Sequence, residues 1–498
     1  MNIAMLLEMA AQAEPDRVGL VCDGRRWTYS ELLAAAHGAA EFIRHSDCGH
    51  VALLDESSEA AVIALFGAAL AGVPYCPLNY RLADPDLGAL ITRIAPAVLI
   101  GDVARAERLC PDQGNVALSR ADFTKAAQDH AKDEPTEGDA GEGIAVQLFT
   151  SGTTAAPKAA ILRHSNLVSY ILGTVEFGSA DEADAALTVV PPYHIAGISA
   201  LMSSIYAQRR IVMLPAFSPE GWLGLVESEK VTNAFVVPTM LGRIIDAMEK
   251  AAGNAVASLK ALAYGGGKMP LEVIQKALAR FPNAGFTNAY GLTETSSTVA
   301  LLSPEDHRAA LASDDPKVRA RLTSLGKPLP TIELEIRDED GNVLPAGEAG
   351  EIYVRGEQVS GEYKEKSALT ADGWFPTRDA GYMDEDGYLF LAGRADDVIV
   401  RGAENMSPGE IEDVLLTHPD IADACACAIP SIEWGETVGA ALVVREGHEQ
   451  PAEDDLKQLV RGRLRSSRVP EQIVYVDALP YNEMGKLLRR EVKKLFAA

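Results

Sequence analysis

The hydrophobic pattern of residues 17–130 leaves this chain few architectures to adopt. Short apolar runs at 18–22, 51–54 and 97–100 alternate with helix-period segments at 28–44 and 57–71, the first of these opened by a Thr28 cap. Strands this short, separated by helices, pack as parallel α/β layers. The pattern returns with strands at 187–190, 211–214 and 234–237 and helices near 165–173, 219–228 and 240–251. From Ile332 it changes: a strand over Glu333-Leu334-Glu335-Ile336, a turn at 338–341 and a strand at 350–356 read as a small β subdomain. Past Gly393 comes a compact α+β unit of about a hundred residues, an ordinary domain size. The expected fold class is α/β, with a large N-terminal domain of layered α/β subdomains plus a β subdomain, followed by a small α+β C-terminal domain. The division is expected at 1–395 and 396–498.

Three stretches test that reading. Residues 60–80 carry no charge and are long enough to span a bilayer, but Gly72, Pro74 and Pro77 interrupt them. They read as a buried helix followed by a turn and a strand, and no transmembrane segment is expected. Residues 1–13 include Glu8 and lack a basic n-region, so they read as an amphipathic helix and not a signal peptide. Residues 132–143, rich in Glu, Asp and Gly, read as a surface linker, and 306–318 as a polar helix or loop without evident chemistry.

The formal net charge of −26 excludes non-specific binding to nucleic acid or an anionic membrane, because the overall field repels phosphate. A phosphate ligand would need a locally basic or N–H-rich site. The six cysteines (Cys22, Cys48, Cys76, Cys110, Cys425, Cys427) are scattered. Cys425 and Cys427 lie in an apolar run and read as small residues of a buried strand, in a chain suited to a reducing cytoplasm.

The apolar run 144–149 breaks into Thr150-Ser151-Gly152-Thr153-Thr154-Ala155-Ala156-Pro157-Lys158. Four hydroxyls, N–H groups freed by Gly152 and one ammonium, with no carboxylate among them, suit a polyphosphate. The spacing is not that of a Walker loop. By itself the stretch reads equally as a solvated Ser/Thr turn. Asn288-Ala289-Tyr290-Gly291-Leu292-Thr293-Glu294 offers an aromatic face for a base, a hydroxyl for a phosphate and a carboxylate for Mg²⁺. Taken alone it also reads as a turn into a capped helix.

Ala263-Tyr264-Gly265-Gly266-Gly267-Lys268 would let a ligand approach the backbone, or simply make a tight turn before a helix near Pro270. In Gly373-Trp374-Phe375-Pro376-Thr377-Arg378-Asp379, the Asp379 carboxylate suits a vicinal diol. Gly393-Arg394-Ala395-Asp396-Asp397 and Pro480-Tyr481-Asn482-Glu483-Met484-Gly485-Lys486 are, in isolation, turns. Glu410 and Glu412 read as acids of a helix's first turn. Arg461, Arg463, Arg465 and Arg468 form either a solvated face or a contact for phosphates.

In their order along the chain, these motifs resemble those of the adenylate-forming (AMP-binding) superfamily, and in particular its acyl-CoA synthetases. The loop resembles the family's T-S-G-T-T-G-x-P-K-G, with Ala155 and Ala159 at two of its glycines. The resemblance implies that Thr150, Ser151, Gly152, Thr153, Thr154 and Lys158 hold phosphates, and that Thr153 and Glu294 meet the magnesium. It places adenine near Asn288, Ala289 and Tyr290, beside Gly265, Gly266 and Gly267. Asp379, after Arg378 where the family has glycine, would bind the ribose, and Arg394 would touch the nucleotide. Asp396 would be a hinge, Gly402 would line the CoA tunnel beside Ala403, and Lys486 with Thr293 would offset charge during adenylation. His194, in Pro192-Tyr193-His194-Ile195, would sit beside the acyl carboxylate, as a pocket residue before a catalyst.

The implied activity is ATP- and Mg²⁺-dependent ligation of a carboxylic acid to coenzyme A. The implied partners are small molecules, with a homodimer as an option, and the C-terminal domain would be mobile. The alternatives are a stand-alone enzyme loading a carrier protein and a non-catalytic acyl- or nucleotide-binding relative. By the same resemblance the acid pocket is lined from 193–205, 235–240 and 262–267. These windows hold Ile195, Ile198, Leu201, Met202, Val236, Val237 and Met240, with room left by Gly197, Ser199 and Ala200. They contain no Lys or Arg before Lys268 and no carboxylate, which implies an apolar monocarboxylic acid, fatty, aromatic or alicyclic.

Overall fold

The computed structural model describes residues 1–111, 113–131, 143–150, 157–251, 256–394, 397, 399–401, 404–431, 434–482 and 487–496. A nine-stranded sheet forms its centre. Six neighbours in it run parallel: Gly285–Leu292, Ala261–Gly265, Asn233–Val236, Ala185–Thr188, Arg210–Met213 and Val18–Cys22. Both margins are antiparallel. Arg25–Thr28 closes one side as a hairpin, a strand for which the sequence carries no expectation. Ser297–Leu302 and Lys327–Pro328 close the other.

Alternation along the parallel strands divides them between two faces. Leu262, Tyr264, Ala234, Val236 and Phe286 face a core covered by the helices Pro219–Ser228, Pro238–Ala251 and Leu271–Arg280. The other side is covered by Ala4–Ala13, Tyr29–His45, Glu59–Ala71, His164–Thr174 and Ile195–Tyr206, which share a second and larger core. Thr28 caps its helix through a capping box with Glu31. Gly72, at φ +77°, ends the buried Glu59–Ala71 helix.

The expected strand after that helix is instead an extended connector. Tyr75 bridges Val51 on one side and Val146 on the other, so Pro74, Pro77 and their neighbours join two half-sheets. One half is the parallel set His50–Leu54, Ala97–Gly101 and Val116–Leu118. The other is the antiparallel set Ile144–Thr150, Lys158–Arg163 and Glu362–Tyr363. Two prolines without N–H groups preclude a longer ladder.

A four-stranded antiparallel sheet, Glu333–Arg337, Gly350–Arg355, Phe375–Met383 and Leu389–Arg394, is the expected β subdomain. The C-terminal unit has its own sheet of Glu404–Met406, Ile399–Arg401, Gly435–Val444, Ile421–Ser431 and Gln472–Tyr475, packed on Pro408–Leu415 and Glu453–Arg463 around separate cores. The architecture is therefore mixed α/β, with a large N-terminal and a small C-terminal domain. The polar stretch after residue 303 forms two short helices, Pro304–Ala312 and Pro316–Ala320. Cys425 and Cys427 are buried thiols of a strand, as expected. Among the described residues no helix is long and apolar enough to cross a membrane.

Candidate active site

Several of the separated motifs meet at the C-terminal edge of the parallel strands, where open α/β sheets bind ligands. Thr150 and Lys158 end paired strands of one hairpin. Ser151, Gly152, Thr153 and Thr154 lie outside the described residues. Lys158 Nζ stands 5.5 Å from the centre of the Tyr363 ring, and the Tyr363 hydroxyl donates to Glu294 Oε1 at 2.5 Å. Glu294 is buried, and its carbonyl accepts from the N–H groups of Ser360 and Gly361 at 2.9 and 3.2 Å. Thr293, half-buried, opens the short 3-10 turn that carries Glu294 away from the strand. Tyr363 bore no motif in the sequence; it is found only because Glu362–Tyr363 pairs beside Lys158–Arg163.

Asn288, Ala289 and Tyr290 belong to the strand itself, which runs on to Leu292. The Asn288 side-chain amide donates to the Ser324 carbonyl at 2.8 Å. Tyr290 is buried against the β subdomain's core, and its hydroxyl donates to Asp379 Oδ2 at 2.7 Å. Thr377 Oγ1 accepts from the Asp379 N–H at 3.1 Å and so fixes the backbone below the carboxylate. Gly265 has no room for a side chain: a Cβ there would lie 2.3 Å from the Ala289 carbonyl oxygen. Gly266 takes φ +80°, and both Gly266 and Gly267 are exposed at this edge.

Arg394 ends its strand beside Asp379 in the sheet. Asp396, Gly402, Ala403 and Lys486 lie outside the described residues, as does most of the linker expected at 132–143. Among the described residues no three His, Cys, Asp or Glu side chains cluster as a metal cage. A single Glu294 carboxylate matches an ion held mainly by phosphates and water, the usual arrangement for Mg²⁺.

Beneath the edge runs a cavity of about 460 Å³ between this face of the sheet and the Ile195–Tyr206 helix. Its floor is made by alternate residues Asn233 and Phe235, Ala261 and Ala263, Thr287 and Ala289. Its roof is the helix face Ala196, Ser199, Ala200, Ser203 and Ser204, at spacings of three and four. This corrects the expected pocket wall. Ile195, Ile198, Leu201 and Met202 occupy the opposite face of the same helix and are spent in the larger core, while Val236, Val237 and Met240 belong to the core beyond the sheet. Burial of apolar area turns the branched face inward and leaves the small, hydroxylated face to the cavity.

Ser199 and Ala200 do line the space, whereas Gly197 is needed for packing, since a Cβ would meet the Pro191 carbonyl at 2.9 Å. His194 precedes the helix as its N-cap residue, its ring 4.6 Å from that of Tyr193, and is not part of the cavity wall. The windows hold no cation, as read; Arg209, four residues past the first of them, also lines the cavity.

In the C-terminal unit, Glu410 is in the first turn of its helix, but Glu412 is not a helix-dipole acid. It is buried, its carboxylate takes two bonds from the Arg489 guanidinium, one at 3.0 Å, and it accepts from the Ala426 N–H at 2.8 Å. Arg461, Arg463 and Arg465 are exposed, whereas Arg468 pairs with Glu410 at 2.9 Å. Lys268, from the glycine motif, reaches Asp413 at 2.7 Å and so spans the two domains.

The family model described as AMP-binding enzyme matches residues 7–364, and that of the AMP-binding enzyme C-terminal domain matches 410–486. A fatty acid–[acyl-carrier-protein] ligase, ScoC, of Streptomyces coeruleorubidus is 31% identical over 98% of this chain and 95% of its own length. A feruloyl-CoA synthase of an Amycolatopsis species is 30% identical over 98% of this chain and 97% of its own. The structure of the o-succinylbenzoate CoA synthetase MenE of Bacillus subtilis with its acyl-adenylate intermediate superimposes with a TM-score of 0.83 at 28% identity, covering 98% of this chain and 97% of that one. The chain belongs to the AMP-binding enzyme family of adenylate-forming, AMP-releasing acid–thiol ligases.

Proposed function

We propose that this protein is an acyl-CoA synthetase for a carboxylic acid with a compact, mainly apolar body. The observation that carries the reading is the meeting of Lys158, Glu294 and Asp379 at one sheet edge, through Tyr363 and Tyr290, above a cavity of ligand size. In the first step a carboxylate oxygen of the acid attacks the α-phosphorus of Mg·ATP, and the bond to the β-phosphate breaks to release pyrophosphate. Lys158 and the hydroxyls of 150–154 would hold the phosphates, Glu294 would meet the magnesium that arrives with ATP, and Asp379 would accept from the ribose. Thr293 and Lys486 would offset the charge that develops on the phosphate, an electrostatic task that needs no covalent enzyme intermediate. Gly265 to Gly267 would let the nucleotide and the carboxylate lie against the backbone.

In the second step the thiol sulfur of CoA attacks the acyl carbon and AMP departs with the carboxylate oxygen. The small domain, taken as 396–498 with Asp396 as pivot, would rotate between the steps, exchanging Lys486 for the Gly402 segment. The acid's body would lie in the 460 Å³ cavity, whose Ala, Phe and Leu surfaces favour an apolar ring or short chain over a polar one.

The test is AMP and pyrophosphate release on mixing ATP, Mg²⁺, CoA and a panel of acids, with thioester detected by its ultraviolet absorbance. Release with no acid in the panel, or none that depends on a thiol, would overturn the reading. The likeness to a carrier-protein ligase motivates a second arm: a holo carrier protein replaces CoA, and a strong preference for it makes the thiol donor a protein.

A further inference from the structure

Two ion pairs join the small C-terminal domain to the large one, and both start from the stretch 268–272 of the large domain. Lys268 Nζ stands 2.7 Å from Asp413 Oδ1 and donates to the Gly409 carbonyl at 3.4 Å. Four residues on, Glu272 lies 3.5 Å from the Arg445 guanidinium. Gly409 and Asp413 are one turn apart on the Pro408–Leu415 helix, so the ammonium spans a full turn of it. Gly409 leaves the space this needs, because a Cβ there would crowd Lys268 Nζ at 3.2 Å. A surface lysine that merely offsets charge needs one acid; this one takes a carboxylate and a carbonyl from the same helix turn.

The stretch also leaves the candidate nucleotide edge. Lys268 directly follows Gly265, Gly266 and Gly267, and the turn at Gly266 leads from the strand Ala261–Gly265 through Lys268 to the helix Leu271–Arg280. Whatever fixes the glycine turn therefore fixes the root of Lys268 as well. A third contact, from the Ser407 hydroxyl to the Ala392 carbonyl, lies at the connection between the domains. Three points fix an orientation: that connection, Lys268 with Asp413, and Glu272 with Arg445. A rotation about the connection breaks at least one of the two ion pairs unless both lie on its axis.

We propose that Lys268 is a positioning residue: with Glu272 it latches the small domain in the orientation seen here, and opening this latch is part of the passage between adenylation and thioester formation. The inference rests on the ligase reading above, in which the small domain rotates between the two steps. Lys268 is not part of the cavity wall, and its ammonium is turned to the small domain, so it acts through the domain it holds. Exposed ion pairs are weak, so the latch favours one orientation without locking it. Two such pairs shift the balance between two orientations by on the order of tenfold. Their exposure also makes that balance depend on salt.

The experiment uses Lys268→Glu, Asp413→Lys and the two together. Pyrophosphate release with ATP and an accepted acid, without CoA, reads adenylation; thioester formation from supplied acyl-adenylate and CoA reads the second step. Domain orientation is read by energy transfer between dyes on Glu305→Cys and Arg461→Cys, exposed positions in the large and the small domain, since the six native cysteines are buried. Each single reversal should slow one half-reaction by about tenfold, leave the other unchanged or faster, and change the energy transfer. The double variant, with the pair exchanged, should restore most of all three readings, and raised salt should move the unaltered pair's energy transfer in the direction of Lys268→Glu. Equal loss in both half-reactions, a double variant no better than the single ones, or unchanged energy transfer in Lys268→Glu overturns the proposal. If no acid releases pyrophosphate, the ligase reading fails by itself, and the energy transfer still decides whether Lys268 holds the domain.

Discussion

Arg378 adopts φ +63° in the middle of Phe375–Met383, at a point where the register with Gly350–Arg355 slips. Its side chain is exposed, and its N–H donates to Glu351 Oε1 at 3.1 Å. A Cβ in this left-handed region costs about 1–2 kcal/mol, of which the greater freedom of glycine in the unfolded chain returns part. Arg378→Gly should therefore stabilise the protein by roughly 0.5–1 kcal/mol, read as a raised urea midpoint with an unchanged slope. The bulge puts the next residue, Asp379, under the Tyr290 hydroxyl. Tyr290→Phe removes a hydrogen bond to a charged acceptor, worth about 1.5 kcal/mol, so KM for ATP should rise roughly tenfold. KM for the acid should move far less, since Tyr290 is not part of the cavity wall. An equal rise in both would show that the ring only supports the fold.

At the scale of the element, the Pro304–Ala312 helix ties a titratable group to the site. His307 is fully buried, with Nδ1 2.8 Å from the Ser303 carbonyl and Nε2 2.8 Å from the Tyr264 hydroxyl. The neutral ring meets both by donating from Nδ1 and accepting at Nε2, and burial disfavours the charged ring, which would need the Tyr264 hydroxyl to turn and accept. Burial holds the His307 pKa below its ordinary 6.5. A depressed histidine is at full stability above the unfolded value and loses it as the pH falls from about 6.5 towards the folded pKa, because the unfolded chain takes the proton first. The urea midpoint should thus fall between pH 7.5 and 5.5, and His307→Asn, though less stable at pH 7.5, should lose less over that interval. Equal slopes for the two proteins would remove His307 as the cause. Tyr264 lies in the strand that ends at Gly265, so acidification should also weaken nucleotide binding before global unfolding.

At the scale of the whole molecule, few of the described contacts join the two domains. Lys268 pairs with Asp413 at 2.7 Å and lies 3.4 Å from the Gly409 carbonyl, Glu272 stands 3.5 Å from Arg445, and the Ser407 hydroxyl donates to the Ala392 carbonyl. Exposed ion pairs of this kind contribute about 0–1 kcal/mol each, a hold small enough for rotation to break. Lys486→Ala should lower adenylate formation by on the order of a hundredfold or more, while thioester formation from supplied acyl-adenylate falls only a few-fold. Equal loss in both half-reactions, measured separately, would contradict an exchange of the lysine between steps.

Most of the architecture was legible in the chain: the α/β alternation of the first part, the Thr28 cap, the β subdomain after Ile332 and the buried cysteine strand are local patterns of period and polarity. So was the candidate nucleotide edge, because Lys158, Glu294 and Asp379 sit in motifs whose order is itself the signal. Three things were decided only by tertiary structure. Tyr363 reaches Glu294 because a two-residue strand pairs with a hairpin two hundred residues earlier, and no local pattern marks so short a pairing. The connector at Tyr75 fuses two half-sheets through backbone bonds that any sequence of that shape could make. The cavity wall was misread because the Ile195–Tyr206 helix has two usable faces. Burial chose the branched one for the core, left alanine and serine to the cavity, and a turn beyond the helix supplied Arg209, since side-chain direction depends on what the rest of the chain packs against it.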